Sequence, residues 1–225
     1  MKIIEPSYEI LTPINGEEIL RTLEKVARTC YKSEDKIGPG TAEKMIHNLI
    51  SNGHEAMIEF FDITVKFTHN RGFSHELVRH RLCSFAQEST RYCNYSGDKF
   101  GNELTMIRPY WMKPSSENDG DSYFTSESSS HWFNAMKIIE DSYFGLLELL
   151  KEEGIQPQAQ AARGVLPNDL KTEINVKANL REWRTIFKLR TAPSAHPDMR
   201  RVMIPLLEEL SGKIPVIFDD ITLIV

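Results

Sequence analysis

Two short segments alternate apolar and polar residues, and they limit what this chain can fold into. In residues 62–68, Ile63, Val65 and Phe67 alternate with Thr64, Lys66 and Thr68. In the second, Ile174, Val176 and Ala178 are interleaved with polar neighbours. Period two sends successive side chains to opposite faces, so both read as half-buried strands. Pro215-Val216-Ile217-Phe218 reads as an added edge strand. Strands this few cannot close a barrel. Helical spacing dominates the rest, so the expected class is α+β, a single domain with a small central antiparallel or mixed sheet flanked by several helices.

The helices announce themselves by apolar stripes. After Asn15, Ile19, Leu20, Leu23, Val26, Ala27 and Cys30 predict a helix over 16–30. Thr41 is placed to cap a second, with Met45, Ile46, Leu49 and Ile50 inward, ending near Gly53. Asn70-Arg71-Gly72 reads as a turn, with Ser74 capping a helix toward Arg81. Residues 113–130, rich in Ser, Asp, Asn and Gly, read as an exposed polar insert. A long helix follows over about 130–153, with Trp132, Met136, Ile139, Tyr143, Leu146, Leu147 and Leu150 inward and Gly154 as C-cap. Pro157 opens the next helix, which Gly164 and Pro167 close. A helix over Leu180–Arg190 and another after Pro197 complete the pattern.

A length of 225 residues suits one domain of generous size or two very small ones, and the chain reads as one domain, 1–225. The net charge of −5 argues against nucleic acid or an anionic membrane as partner, so any basic cluster must serve a small anion or one face. Three cysteines, Cys30, Cys83 and Cys93, are odd in number and lack metal-type spacing, which fits a reducing cytoplasm. Met1-Lys2-Ile3-Ile4-Glu5-Pro6 has no apolar run after its lysine and does not read as a signal peptide. No apolar run approaches the ~20 residues of a membrane span. His75 and His80 lie five apart and no HExxH occurs, so no metal is expected.

The densest chemistry lies in Arg79-His80-Arg81-Leu82-Cys83-Ser84-Phe85-Ala86-Gln87-Glu88-Ser89-Thr90-Arg91-Tyr92. Arginine forks and short hydroxyls make an anion site, and Leu77, Val78, Leu82 and Phe85 pull part of the segment toward the core. The competing reading is a solvated helix face followed by a polar loop. In Asn179–Arg190, Leu180, Trp183 and Phe187 form an apolar stripe whose next member is Arg190, so that arginine points into a pocket. Arg181, Arg184 and Lys188 form a separate stripe, and Arg184 and Lys188 read as facing water. Arg163 is the one charge in Gln160–Val165, and its plainer reading is a C-terminal complement to a helix dipole. His54, between helix and strand, reads on its own as a loop histidine.

Arg79-His80-Arg81, seven residues, then Ser89 with Arg91-Tyr92 resembles the signature of flavin-dependent thymidylate synthases, the ThyX family. Gly53-His54-Glu55, Ala162-Arg163 with Leu166-Pro167, and Asn179-x-Arg181 with Leu189-Arg190 resemble its other segments in the same order. The resemblance implies a ThyX-like α+β homotetramer with FAD bound between subunits. It would make dTMP from dUMP, with methylenetetrahydrofolate as carbon donor, NADPH or NADH as reductant and no cysteine nucleophile. Carried over by position, His54, Arg79, His80, Arg81, Asn179 and Arg181 would contact FAD, with Cys30 and Thr185 at flavin-side positions where the family more often has other residues. Ser89, Thr90, Arg91, Arg163 and Arg190 would hold dUMP, with Arg79, Glu76 and Gln87 beside it, and Arg190 would polarise the uracil. Ala86 and Gln87 replace a frequent Asn-Glu pair; glutamine keeps hydrogen bonding but loses charge.

Three rival functions make different demands on the sequence. A folate-only synthase needs a Pro-Cys-His cysteine, whereas the contexts here are Thr29-Cys30-Tyr31, Leu82-Cys83-Ser84 and Tyr92-Cys93-Asn94. A nucleic-acid module stacking bases on Tyr92 and Tyr95 should be basic overall, which this chain is not. A structural oligomer would spend the same arginines on interface ion pairs.

Overall fold

The computed structural model describes residues 1–113 and 126–223. In chain order these form β1 (Lys2–Ile4), β2 (Ser7–Ile10), α1 (Gly16–Thr29), α2 (Thr41–Ser51), β3 (Asp62–Asn70), α3 (Arg71–Leu77), β4 (Ser84–Gln87), β5 (Thr105–Ile107), α4 (Glu127–Glu152), α5 (Gln158–Ala162), β6 (Lys171–Asn179), α6 (Leu180–Arg190) and α7 (Pro197–Lys213). β1 pairs with β5 in parallel, Lys2 opposite Thr105 and Ile4 opposite Ile107. The other four strands form a sheet in the order β2-β3-β6-β4. The class is α+β, as the strand count requires. β1, β2, β4 and β5 hold three or four residues each, too few to display an alternation in the sequence.

Residue contacts divide the chain into two compact units. The first comprises Met1–Ser7, Thr68–Glu76 and Gln87–Ile174; the second comprises Tyr8–Phe67, Leu77–Ala86 and Asn175–Val225. In the first, α4 lays Met136, Tyr143 and Leu147 against Leu104, Met106 and Leu170. Glu140 is buried among them and accepts from the Leu104 N–H at 2.9 Å.

In the second unit Asn15 caps α1, its Oδ1 accepting from the Glu18 N–H at 3.2 Å. Ile19, Leu20, Leu23 and Ala27 of that helix are buried. Gly16 has no room for a side chain, because a Cβ there would lie 2.1 Å from the Lys213 carbonyl oxygen at the end of α7. α6 is the best-buried helix of this unit. Trp183 and Phe187 stack at 5.6 Å, and the Trp183 indole N–H donates to the Ile63 carbonyl at 3.0 Å, tying α6 to β3. Truncating a buried aromatic of this kind typically costs about 3–5 kcal/mol.

Several expectations need correction. Thr41 is the first helical residue rather than the cap. Gly40, left-handed at φ 71°, holds the cap position, and the Thr41 hydroxyl turns back to the Gly38 backbone. The helix expected from Ser74 begins at Arg71 instead, because Asn70 Oδ1 accepts from the Phe73 N–H at 2.8 Å; Ser74 lies inside it and donates to the Arg71 carbonyl. Residues 215–218 form turns, not an edge strand: Val216 adopts φ 75°, and its N–H donates to Asp219. Of the polar segment expected over 113–130, residues 114–125 lie outside the described residues. Its last residues, Glu127–Ser130, are the first turn of α4, capped by the Ser126 hydroxyl.

Candidate active site

In the second unit a short 3-10 turn, Glu55–Phe60, gathers one set of predicted residues. Exposed His54 precedes it. Cys30, at the end of α1, places its Sγ 4.0 Å from Met57 Sδ in that turn. Arg181 is half-exposed and donates to Glu59 at 2.6 Å, with its Nε 3.8 Å from Glu55. One turn further along α6, the Thr185 hydroxyl donates to the Arg181 carbonyl at 3.3 Å. Asn179 does not offer its side-chain oxygen to a ligand here, because that oxygen caps α6 by accepting from the Glu182 N–H at 2.8 Å. Beside His54 lies a groove of about 440 Å³, lined also by Arg28, Tyr31, Lys44, Asn48 and Asn52.

The same unit holds a connected group centred on His80. This histidine is 7% exposed. Its Nε2 accepts from Arg190 Nε at 3.0 Å, and its Nδ1 lies 3.4 Å from Glu182 Oε1. Burial, reinforced by the Arg190 charge, lowers its pKa to about 4, so it is neutral at pH 7. Burial raises the Glu182 carboxyl. Burial and the nearby Glu182 push the Cys83 thiol up to about 12, leaving almost no thiolate to act as nucleophile. Arg79 and Arg81, on either side of His80, are exposed.

In the first unit, Gln87 donates to the Ser74 hydroxyl at 2.9 Å and to the Thr172 hydroxyl at 3.2 Å. The Ser89 hydroxyl accepts from the Arg91 N–H at 3.3 Å, and Thr90 is buried. Arg91 Nε donates to Gln160 at 2.8 Å, which brings its arm to α5; exposed Arg163 follows at the end of that helix. Glu76 is half-buried in α3. Glu88 accepts from Tyr95 at 2.8 Å and from Lys171 at 3.0 Å. Burial works against the Lys171 ammonium, but hydrogen bonds to Glu88 and Glu173 outweigh it and hold its pKa above the ordinary value.

Two sequence expectations fail. Val78 and Leu82 do not pull the signature inward, since they are 37% and 77% exposed; Leu77 is the core residue and His80 the buried polar one. Arg184 does not face water. It is 1% exposed and grips Asp220 with both ends of its fork, at 2.6 and 2.8 Å, while also donating to Glu55 at 3.1 Å and to the Ile217 carbonyl. A signal was present: Arg184 lies four residues after Leu180 and three before Phe187, on the stripe that also carries Trp183. Glu182 and Glu88 escaped notice because their partners, His80 and Lys171, are distant in sequence.

These features define an α+β protein in which each unit carries arginine or hydroxyl groups chemically able to hydrogen-bond oxygen-rich anions. Comparison with known proteins narrows that class. The family model described as "Thymidylate synthase complementing protein" matches residues 15–216. The flavin-dependent thymidylate synthase of Corynebacterium aurimucosum is 32% identical over 88% of this chain and 78% of its own length. That of Geobacter sulfurreducens is 29% identical over 86% and 78%. The crystal structure of the UMP/dUMP methylase PolB from Streptomyces cacaoi, bound with 5-Br dUMP, shares the fold at TM-score 0.73 and 20% identity, covering 97% of this chain and 96% of that one. This chain belongs to the flavin-dependent thymidylate synthase family, and it is an enzyme of the methyl-transferring class. Among the described residues no helix is long and apolar enough to cross a membrane.

Proposed function

We propose that this chain, acting as one functional domain, converts dUMP to dTMP in the cytoplasm, using methylenetetrahydrofolate, NADPH and non-covalently bound FAD. The observation that carries this reading is the family match across 15–216, which spans both the arginine-histidine signature and α6. The residues present fit the cofactor. Exposed Arg79, Arg81 and Arg181 offer forked donors suited to phosphate oxygens, and His54, Cys30 and Thr185 stand with Arg181 around one turn. When bound, the flavin supplies the hydride that completes the methyl group.

The chain's own residues bind and polarise. Ser89, Thr90, Arg91 and Arg163 offer hydroxyls and guanidinium groups to the dUMP phosphate, and we assign Arg79, Glu76 and Gln87 to the same ligand. Arg190 donates to the uracil edge where negative charge develops. No cysteine attacks the ring. Cys83→Ala should therefore form dTMP at close to the parental rate, as should Cys30→Ser and Cys93→Ala. Complete loss of turnover in any one of them, folded and flavin-loaded, would contradict the assignment.

The assembly we propose is a homotetramer. The purified protein should be yellow, should run as a tetramer by light scattering, and should release FAD into the supernatant on heating. A colourless monomer that takes up no added FAD would overturn the reading.

A further inference from the structure

We infer that Glu182 is a positioning residue for Arg190, acting through the His80 imidazole. The inference rests on the reading of Arg190 as the uracil donor. Arginine can only donate hydrogen bonds, so the His80 Nε2 that receives Arg190 Nε at 3.0 Å must carry a lone pair. A neutral imidazole has one N–H, which therefore sits on Nδ1. That nitrogen faces Glu182 Oε1 at 3.4 Å. One tautomer turns its lone pair to Arg190 and its N–H toward Glu182 Oε1, a polar contact longer than an ordinary hydrogen bond, and the reversed one would set two N–H groups against each other. The carboxylate and the ring are both about nine-tenths buried, so solvent does not easily substitute for either.

The position of each partner favours transmission. Glu182 stands in the first turn of α6, where Asn179 holds its own N–H. Arg190 is the last residue of the same helix, eight residues later or about 12 Å along the axis, beyond direct reach of Glu182. His80 comes from a different segment and spans the gap. Engaging Nε sets the plane of the guanidinium fork, and that plane decides whether its N–H groups meet a planar acceptor edge. The plain alternative is an acidic residue in a helix's first turn, complementing the dipole and touching His80 incidentally.

The test pairs Glu182→Ala with Glu182→Gln. Glutamine keeps an acceptor for the Nδ1–H; alanine does not. Each protein would be assayed for bound FAD, for tetramer, and for kcat and KM toward dUMP. Ring ¹⁵N spectra of histidine-labelled protein, assigned by loss of the His80 signal in a His80 variant, would report the tautomer. We expect Glu182→Ala to keep its flavin and assembly and to lower kcat about tenfold with a smaller change in KM; the ring, no longer held at Nδ1, should turn away from Arg190 and so replace the single Nδ1–H tautomer with a mixture. Glu182→Gln should recover most of kcat and the single tautomer. Unchanged kcat in Glu182→Ala, or equal losses of FAD and assembly in both variants with the tautomer intact, would overturn the inference. A parental enzyme that forms no dTMP would instead sink the functional reading, while the tautomer spectra would still decide whether Glu182 controls His80.

Discussion

Arg190→Lys should fold, stay yellow and accept electrons from NADPH, yet release the C5 proton of dUMP about 10²–10³ times more slowly. The reason is geometric. Arg190 is half-buried at the end of α6 and held through Nε by a neutral histidine. A donor fixed in advance toward developing charge needs no reorganisation during reaction, and losing one typically costs about 3–4 kcal/mol. Lysine keeps the charge but has no Nε to share with His80 and no planar fork. Arg190→Ala should be slower still and should also bind dUMP more weakly. Tritium release from C5-labelled dUMP, measured beside flavin content and light scattering, checks the prediction. If the tetramer dissociates while the remaining protein turns over normally, Arg190 is a structural residue and the assignment is wrong.

The second large effect concerns stability. Removing both carboxylates around Arg184, in the double variant Glu55→Ala with Asp220→Ala, should destabilise the protein by about 3–5 kcal/mol, because a guanidinium 1% exposed would be left without a counter-charge. For a chain of this size that corresponds to a melting temperature lower by about 2–4 °C per kcal/mol. Asp220→Ala alone should cost clearly less, since that side chain is half-exposed and Glu55 remains. Arg184→Met should also cost less than the double variant, since the carboxylates it leaves behind can rehydrate and its own volume stays apolar. Thermal unfolding of the four proteins at equal concentration gives the order, and a double variant as stable as the parent would refute the account. The sign of the pH dependence follows. The Arg184 hydrogen bond holds the Asp220 pKa below its ordinary value. The pair's contribution is then present above the unfolded aspartate value of about 3.9 and is lost as the pH falls through the lower folded-state value.

The longer helices and the two long strands were legible because their periodicity repeats over nine or more residues, as in β3, β6 and α6. The short strands carried no such repeat. Boundaries slipped at two caps: left-handed Gly40, with no side chain, holds the position read for Thr41, and the Asn70 side chain caps the helix read from Ser74. Arg190 was legible as a partly buried arginine because it extends an apolar stripe. Arg184 was missed although it shares that stripe, because arginines alternate so densely along α6 that they read as one wet face. What no local pattern reveals is who pairs with whom. His80 and Glu182 are 102 positions apart in the chain, and only folding brings them to 3.4 Å.

α6 also fixes a length and a phase. Arg181 and Arg190 are nine residues apart on one unbroken helix, which is about 13–14 Å along the axis and close to half a revolution around it. The rod therefore acts as a ruler with two marks on opposite sides, one toward the Glu55–Phe60 turn and one toward His80. One residue inserted between the marks would advance the second by about 1.5 Å and turn it by about 100°, taking Arg190 off the imidazole while leaving Arg181 in place. Surface loops in such a chain can gain or lose residues over evolutionary time, but this segment can drift only by substitution. Its length is what an engineer grafting the site elsewhere would have to copy first.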